Sequence, residues 1–133
     1  DWKVAVVSTS GNPYCHVILR GGKNGPNYDE KSVNEAVEFC RKGGVCSRLM
    51  IDASHANSEK NFKNQANVWR ETFKQIRAGN ADVVGLMLES NLSEGAQKIA
   101  GGWGELQYGI SVTDGCIGWE ETENLILEAY QSF

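Results

Sequence analysis

At 133 residues, with a formal charge of −4 and 41% hydrophobic residues, the chain has the composition of an ordinary soluble globular protein of one domain or less. Its acidic balance, with no dense Lys/Arg cluster interleaved with aromatics, argues against a nucleic-acid partner. No apolar run approaches the roughly 20 residues that span a bilayer and no signal-peptide pattern opens the chain, so a cytoplasmic location without a membrane partner is expected. The start at Asp1, without methionine, reads as a processed or truncated piece.

Lys3 to Val7 (KVAVV) predicts a strand, and Ser8 to Tyr14, with Gly11 and Pro13, a turn-rich break. Cys15 to Leu19 (CHVIL) reads as a buried strand ending at Arg20-Gly21-Gly22-Lys23. His16 inside it is read as satisfied in or beside the sheet rather than as a ligand. A first helix is expected from about Asp29 to Arg41: Val33, Ala36, Val37 and Cys40 share one face, Asp29 and Glu30 sit at the positive helix start, and Gly43-Gly44 stop it.

Arg48 to Asp52 predicts a second buried strand, running on into Ala53-Ser54-His55-Ala56-Asn57. A helix from about Ser58 to Ala78 follows, with Phe62, Ala66, Trp69, Phe73 and Ile76 as its apolar stripe and Gly79 as its cap. That stripe reads as core packing. Val83 to Leu88 (VVGLML) predicts a third strand, ending in Glu89-Ser90-Asn91. Leu92 to Tyr108 has glycines at 95, 101, 102 and 104 and no sustained period, which predicts a long loop of the kind that is functional or mobile. Gly109 to Thr113 leads into Asp114, and a last helix is expected from about Trp119 to Tyr130, opening on Glu120 and Glu121.

The alternation of strand, loop and helix predicts an α/β fold with parallel strands, and the continuous apolar strands predict cover on both faces. A closed α/β barrel and an open doubly wound sheet both place Arg20, His55 and Glu89 on one strand edge.

His55, Glu89 and Asp114 bring an imidazole and two carboxylates from three loops, donors suited to a divalent ion such as zinc, manganese, iron or cobalt. The alternative is loop residues that cap helices or pair with Arg and Lys. Arg20 offers a guanidinium fork for phosphate or carboxylate, and Gly21 and Gly22 would let a ligand approach the backbone. No GxGxxG or Walker-type loop supports nucleotide binding. Ser54 and His55 are not read as nucleophile and base, because neighbours on a strand end point apart. Cys15, Cys40, Cys46 and Cys116 form no CxxC knuckle and read as reduced thiols. The sequon at Asn91-Leu92-Ser93 carries no meaning in a cytosolic chain.

Four stretches together resemble a known family: Ile18-Leu19-Arg20-Gly21-Gly22-Lys23 with Pro26-Asn27-Tyr28, Met50 to Ser58 (MIDASHANS), Gly85 to Ser90 (GLMLES), and Ser111 to Glu120 (SVTDGCIGWE). In order and spacing they are similar to the C-terminal part of type I 3-deoxy-D-arabino-heptulosonate-7-phosphate (DAHP) synthase. The resemblance implies strands six to eight of a (βα)8 TIM barrel, with residues 1–14 the end of an inserted hairpin and turn and 15–133 three strand-loop-helix units. It implies condensation of phosphoenolpyruvate with erythrose 4-phosphate to DAHP and phosphate, the first step of the shikimate route.

Position by position, Arg20 matches the arginine that grips phosphoenolpyruvate, and His55, Glu89 and Asp114 match three metal ligands, Asp114 also lying close to the aldose. The family's fourth ligand, a cysteine on the first barrel strand, has no counterpart among the four cysteines here. The missing N-terminal part of the barrel is therefore an implied partner, as is a homo-oligomer. Lys3 to Ser8 would be a hairpin arm beside the family's feedback-inhibitor pocket, with Val7 as a lining residue. A barrel of this kind needs about 250 residues, so this piece alone is expected neither to fold well nor to turn over substrate. The competing expectations are the related octulosonate-phosphate synthases and a non-catalytic effector-binding fragment.

Overall fold

A computed structural model describes residues 4–132. The three apolar runs become short parallel strands, β1 (Val17–Leu19), β2 (Leu49–Asp52) and β3 (Val83–Met87), hydrogen-bonded in the order β1-β2-β3. Leu19, Ile51 and Leu86 lie side by side, so the three chains leave the sheet at one edge, the edge that carries Arg20, His55 and Glu89. Gly85 is opposite Met50, and a Cβ on it would come within 3.0 Å of Met50 Cγ.

The first strand begins later than its sequence suggests. Cys15 and His16 precede the Val17–Leu49 pair at which the sheet starts, and both are exposed. His16 is thus neither within the sheet nor near the site; it lies at the opposite end of β1 from Arg20. The strand expected over Lys3 to Val7 does not form over residues 4–7, where Val4, Val6 and Val7 are exposed; Lys3 lies outside the described residues. No described strand runs beside this segment to take its backbone hydrogen bonds.

Helix α1 (Glu30–Lys42) matches its sequence signals. Asp29 caps it, accepting from Ser32 N–H at 3.0 Å and Ser32 Oγ at 2.6 Å, and Val33, Val37 and Cys40 are buried. They pack with Leu19, Leu49, Ile51, Ala53, Val68 and Val83 into the main core.

Helix α2 (Gln65–Arg77) starts well after Ser58, behind a single 3-10 turn at Phe62–Asn64. The delay has a backbone cause: Glu59 and Lys60 have positive φ (55° and 60°), which no right-handed helix admits. The fully buried face of α2 is Gln65, Ala66, Val68 and Thr72, while Phe62, Trp69, Phe73 and Ile76 of the expected stripe are half-buried. One face meets the sheet through Val68. The other joins Phe62, Ala66 and Trp69 to Ile117 and Leu125 in a second core under α3 (Trp119–Gln131).

Between β3 and α3 the long loop contains one 3-10 turn, Trp103–Glu105. Gln97 pins it: its Nε2 donates to the carbonyls of Gln107 (2.8 Å) and Ile110 (2.9 Å), and its Oε1 accepts from Gln107 N–H. Residues 109–113 form no strand. Instead single bridges tie Ser90 to Ile117, Gly95 to Cys116 and Ala96 to Ser111.

The sheet is covered on one face rather than two. Ile18 and Val84 remain 49% and 52% exposed, because the described residues place helices on the Leu49/Ile51 side only.

Candidate metal centre

The site begins where β2 runs out. Asp52, its last residue, is 4% exposed, and its two oxygens are both engaged. Oδ1 accepts from Ser54 N–H at 2.8 Å, and Oδ2 lies 2.7 Å from His55 Nδ1. The second contact is a close approach without the alignment of a hydrogen bond. His55 is held in a left-handed conformation by the turn that follows: its carbonyl accepts from Lys60 N–H (2.9 Å) and Ser58 Oγ (3.1 Å).

A second loop is tied to the first by Asn57, 2% exposed. Its Nδ2 donates to the carbonyls of Leu19 (3.0 Å) and Asp52 (2.8 Å), and its Oδ1 accepts from Asn27 N–H (2.8 Å). Asn27 Oδ1 in turn accepts from Gly21 N–H at 2.7 Å, so the Arg20 loop and the His55 loop are registered against each other. Gly21 has φ +74°, and a Cβ there would sit 2.8 Å from backbone and side-chain atoms of Ala56. Glycine is demanded at 21 by loop packing, not by an approaching ligand. Gly22 has open space and closes a short turn with Gly25.

Glu89 enters from β3. Gln65, at the start of α2, brackets its peptide groups, and Ser54 Oγ donates to Glu89 Oε2 at 2.7 Å. Glu89 Oε1 lies 3.6 Å from His55 Nε2. The segment that follows the long loop comes in beside β3 through the Ile117 N–H to Glu89 carbonyl bond (3.0 Å) and delivers Asp114. Gly115 makes that approach possible, since a Cβ there would fall 2.7 Å from Phe62 Cδ1.

His55, Glu89 and Asp114 thus converge: one ligand atom from each lies within 4.8 Å of the others. The cleft they share, about 390 Å³, is also lined by Arg20 and Lys60. Among the described residues the Arg20 guanidinium has no hydrogen-bond or ion-pair partner, which leaves its fork available to an anion. Cys116 is near but differently employed. Burial pushes its thiol pKa up, the Glu89 and Asp114 carboxylates push it further, and Ser111 partly opposes them. Its thiol donates to the Asp114 carbonyl at 3.6 Å, and its sulfur is not among the ligand atoms that converge.

Sequence reasoning located Arg20, His55, Glu89 and Asp114, and the fold brings all four to one cleft. It passed over Asp52, Asn57, Lys60 and Gln65. Two signals were available: a carboxylate closing an otherwise apolar strand, and two polar residues seven apart, Gln65 and Thr72, on a helix face that is fully buried.

The DAHP synthetase I family model matches residues 2–127. The chain is 51% identical over 126 residues to a phospho-2-dehydro-3-deoxyheptonate aldolase of Alternaria alternata, covering 94% of this chain and 34% of that protein. It is 50% identical over 122 residues to the Phe-sensitive enzyme of the same name from Escherichia coli K12, covering 92% and 34%. The solved structure of phospho-2-dehydro-3-deoxyheptonate aldolase from Francisella tularensis superposes with a TM-score of 0.86 at 39% identity, over 96% of this chain and 37% of that one. The chain spans about a third of the length of these relatives.

Proposed function

This chain belongs to the DAHP synthetase I family, and we propose that it supplies the last three strand-loop-helix units of a (βα)8 barrel that condenses phosphoenolpyruvate with erythrose 4-phosphate. The products are DAHP and inorganic phosphate, and the setting is cytoplasmic biosynthesis of aromatic amino acids by a homo-oligomer. One observation carries the reading: Arg20, His55, Glu89 and Asp114, from the three connections that follow β1, β2 and β3, line a single cleft at the carboxyl edge of a parallel sheet, the edge at which barrel enzymes work.

The donor set fits a divalent cation. An imidazole and two carboxylates, one atom each within 4.8 Å of the others, suit manganese, iron, cobalt or zinc. His55 Nδ1 is turned to the Asp52 carboxylate, the usual arrangement behind a metal-bound imidazole, so Nε2 is the nitrogen that faces the cleft. When bound, such an ion supplies Lewis-acid polarisation of the aldehyde.

The chain's own residues do the rest of the binding. Arg20 presents a planar fork to the phosphate or carboxylate of phosphoenolpyruvate. The Asn57–Asn27–Gly21 strap fixes that arginine's backbone relative to His55. Asp114, exposed at the cleft mouth, stands where the aldose would enter. Carbon–carbon bond formation joins C3 of the enolpyruvate to the aldehyde carbon, water adds at C2, and phosphate departs.

The test is phosphate release from phosphoenolpyruvate by the complete polypeptide that carries this chain. It should require erythrose 4-phosphate, cease on chelation, return with a divalent ion, and fall by at least about 100-fold in His55→Ala. Phosphate release that ignores the aldose, or that survives in His55→Ala, would overturn the reading.

A further inference from the structure

Glu89 is gripped at three atoms by two buried side chains. Its N–H donates to Gln65 Oε1 at 2.7 Å and its carbonyl accepts from Gln65 Nε2 at 3.1 Å, so one amide engages both polar atoms of a single backbone residue. β3 ends at Met87, and beyond it the Glu89 carbonyl also accepts from Ile117 N–H at 3.0 Å. The Ser54 hydroxyl then donates to Glu89 Oε2 at 2.7 Å, and the other oxygen, Oε1, is left facing His55 Nε2 at 3.6 Å.

Packing does not account for this. Gln65 is 0% and Ser54 4% exposed. A buried amide at the start of a helix and a buried hydroxyl are costly unless every bond they make is satisfied. Both are satisfied through Glu89: the Ser54 hydroxyl by its carboxylate, the Gln65 amide by its backbone.

Resting on the metal-centre reading above, we infer that Ser54 and Gln65 are positioning residues that hold Glu89 as a one-oxygen ligand, with Oε1 presented to the cation and Oε2 withheld. Gln65 fixes where the backbone of residue 89 stands. Ser54 fixes how the carboxylate is turned. Neither is itself a ligand, yet the affinity and coordination geometry of the site depend on both, as outer partners of metal ligands do generally.

The experiment is a cobalt(II) titration of the complete polypeptide, followed by absorption in the visible and by competition with a chelator. Ser54→Ala and Gln65→Met are compared with the parent and with His55→Ala. Gln65→Met keeps the length of the side chain and removes its hydrogen bonds.

Expected is a Kd about tenfold weaker in each positioning variant. In Ser54→Ala the visible bands should also change, because the freed Oε2 alters the cobalt coordination, and this readout is one that a merely structural role would not move. Circular dichroism and melting check the fold, and if Gln65→Met does not fold, the smaller Ser54→Ala change decides alone. Unaltered affinity and an unaltered spectrum in Ser54→Ala, with binding lost in His55→Ala, overturn the inference and leave the metal centre standing. A parent that binds no cobalt overturns the metal-centre reading, and this inference with it.

Discussion

Asn57 touches no candidate ligand and still sets the distance between two of the loops that matter. Its buried amide joins the Leu19 carbonyl before Arg20 to the Asp52 carbonyl before His55, and through Asn27 it reaches Gly21. Asn57→Ala leaves those backbone groups unpaired in a buried place, so stability should fall by about 2 kcal/mol in denaturant unfolding of the complete polypeptide. Arg20 loses its register with His55 at the same time, and KM for phosphoenolpyruvate should rise by more than kcat falls. A loss of stability with KM unchanged would confine Asn57 to a structural role. The contrast between Asn57 and His55 also shows what a sequence reveals at this scale. Arg20, His55, Glu89 and Asp114 are legible because each is a reactive side chain just past an apolar run, and their meaning is local. Ser54 and Gln65 act on Glu89, 35 and 24 residues away, so nothing beside them in the chain announces their partner.

Among the elements, α1 was legible from end to end because its determinants are internal: an Asp29 cap, three apolar residues on one face and a glycine pair at its close. The start of α2 was not, since the obstacle is two successive residues with positive φ, Glu59 and Lys60, neither of them glycine. Its faces were misassigned for a related reason. A helix wedged between a sheet and another helix has two buried sides, and of the expected stripe Ile76 packs toward the sheet while Phe62, Ala66 and Trp69 serve the side toward α3. That side is latched at the surface by Arg70 and Glu128, whose two contacts are both 2.8 Å. The hydrogen bond from Arg70 holds the Glu128 carboxyl below its ordinary pKa of 4.5. A lowered folded-state pKa means stabilisation that is present above the unfolded value and lost as pH falls through the folded one. With both side chains about half exposed (47% and 49%) the latch is worth only about 0.5 kcal/mol. Glu128→Gln should therefore lower the melting temperature slightly at pH 7 and not at all at pH 2, as calorimetry at the two pH values would show. A deficit that persists at pH 2 would mean the latch does not act through the carboxylate charge.

Taken whole, the described residues form an open three-stranded parallel sheet. β1 and β3 are open edges and Ile18 and Val84 are exposed on the face away from the helices, features that agree with the proposed barrel. Alternating strands and helices made the α/β class readable, but continuous apolar runs suggested cover on both faces, and that cover is supplied only by chain beyond these residues in the proposed barrel. The described helices are also too short and polar to cross a membrane. The connections after β2 and β3 bring His55, Glu89 and Asp114 within 4.8 Å of one another. The most direct measurement is an anomalous-difference map from crystals of the complete polypeptide grown with manganese. The account predicts one strong peak at about 2.0–2.2 Å from His55 Nε2 and within bonding distance of Glu89 Oε1 and an Asp114 carboxylate oxygen. A map with no peak there, or with manganese bound elsewhere and these three side chains unligated, would contradict it.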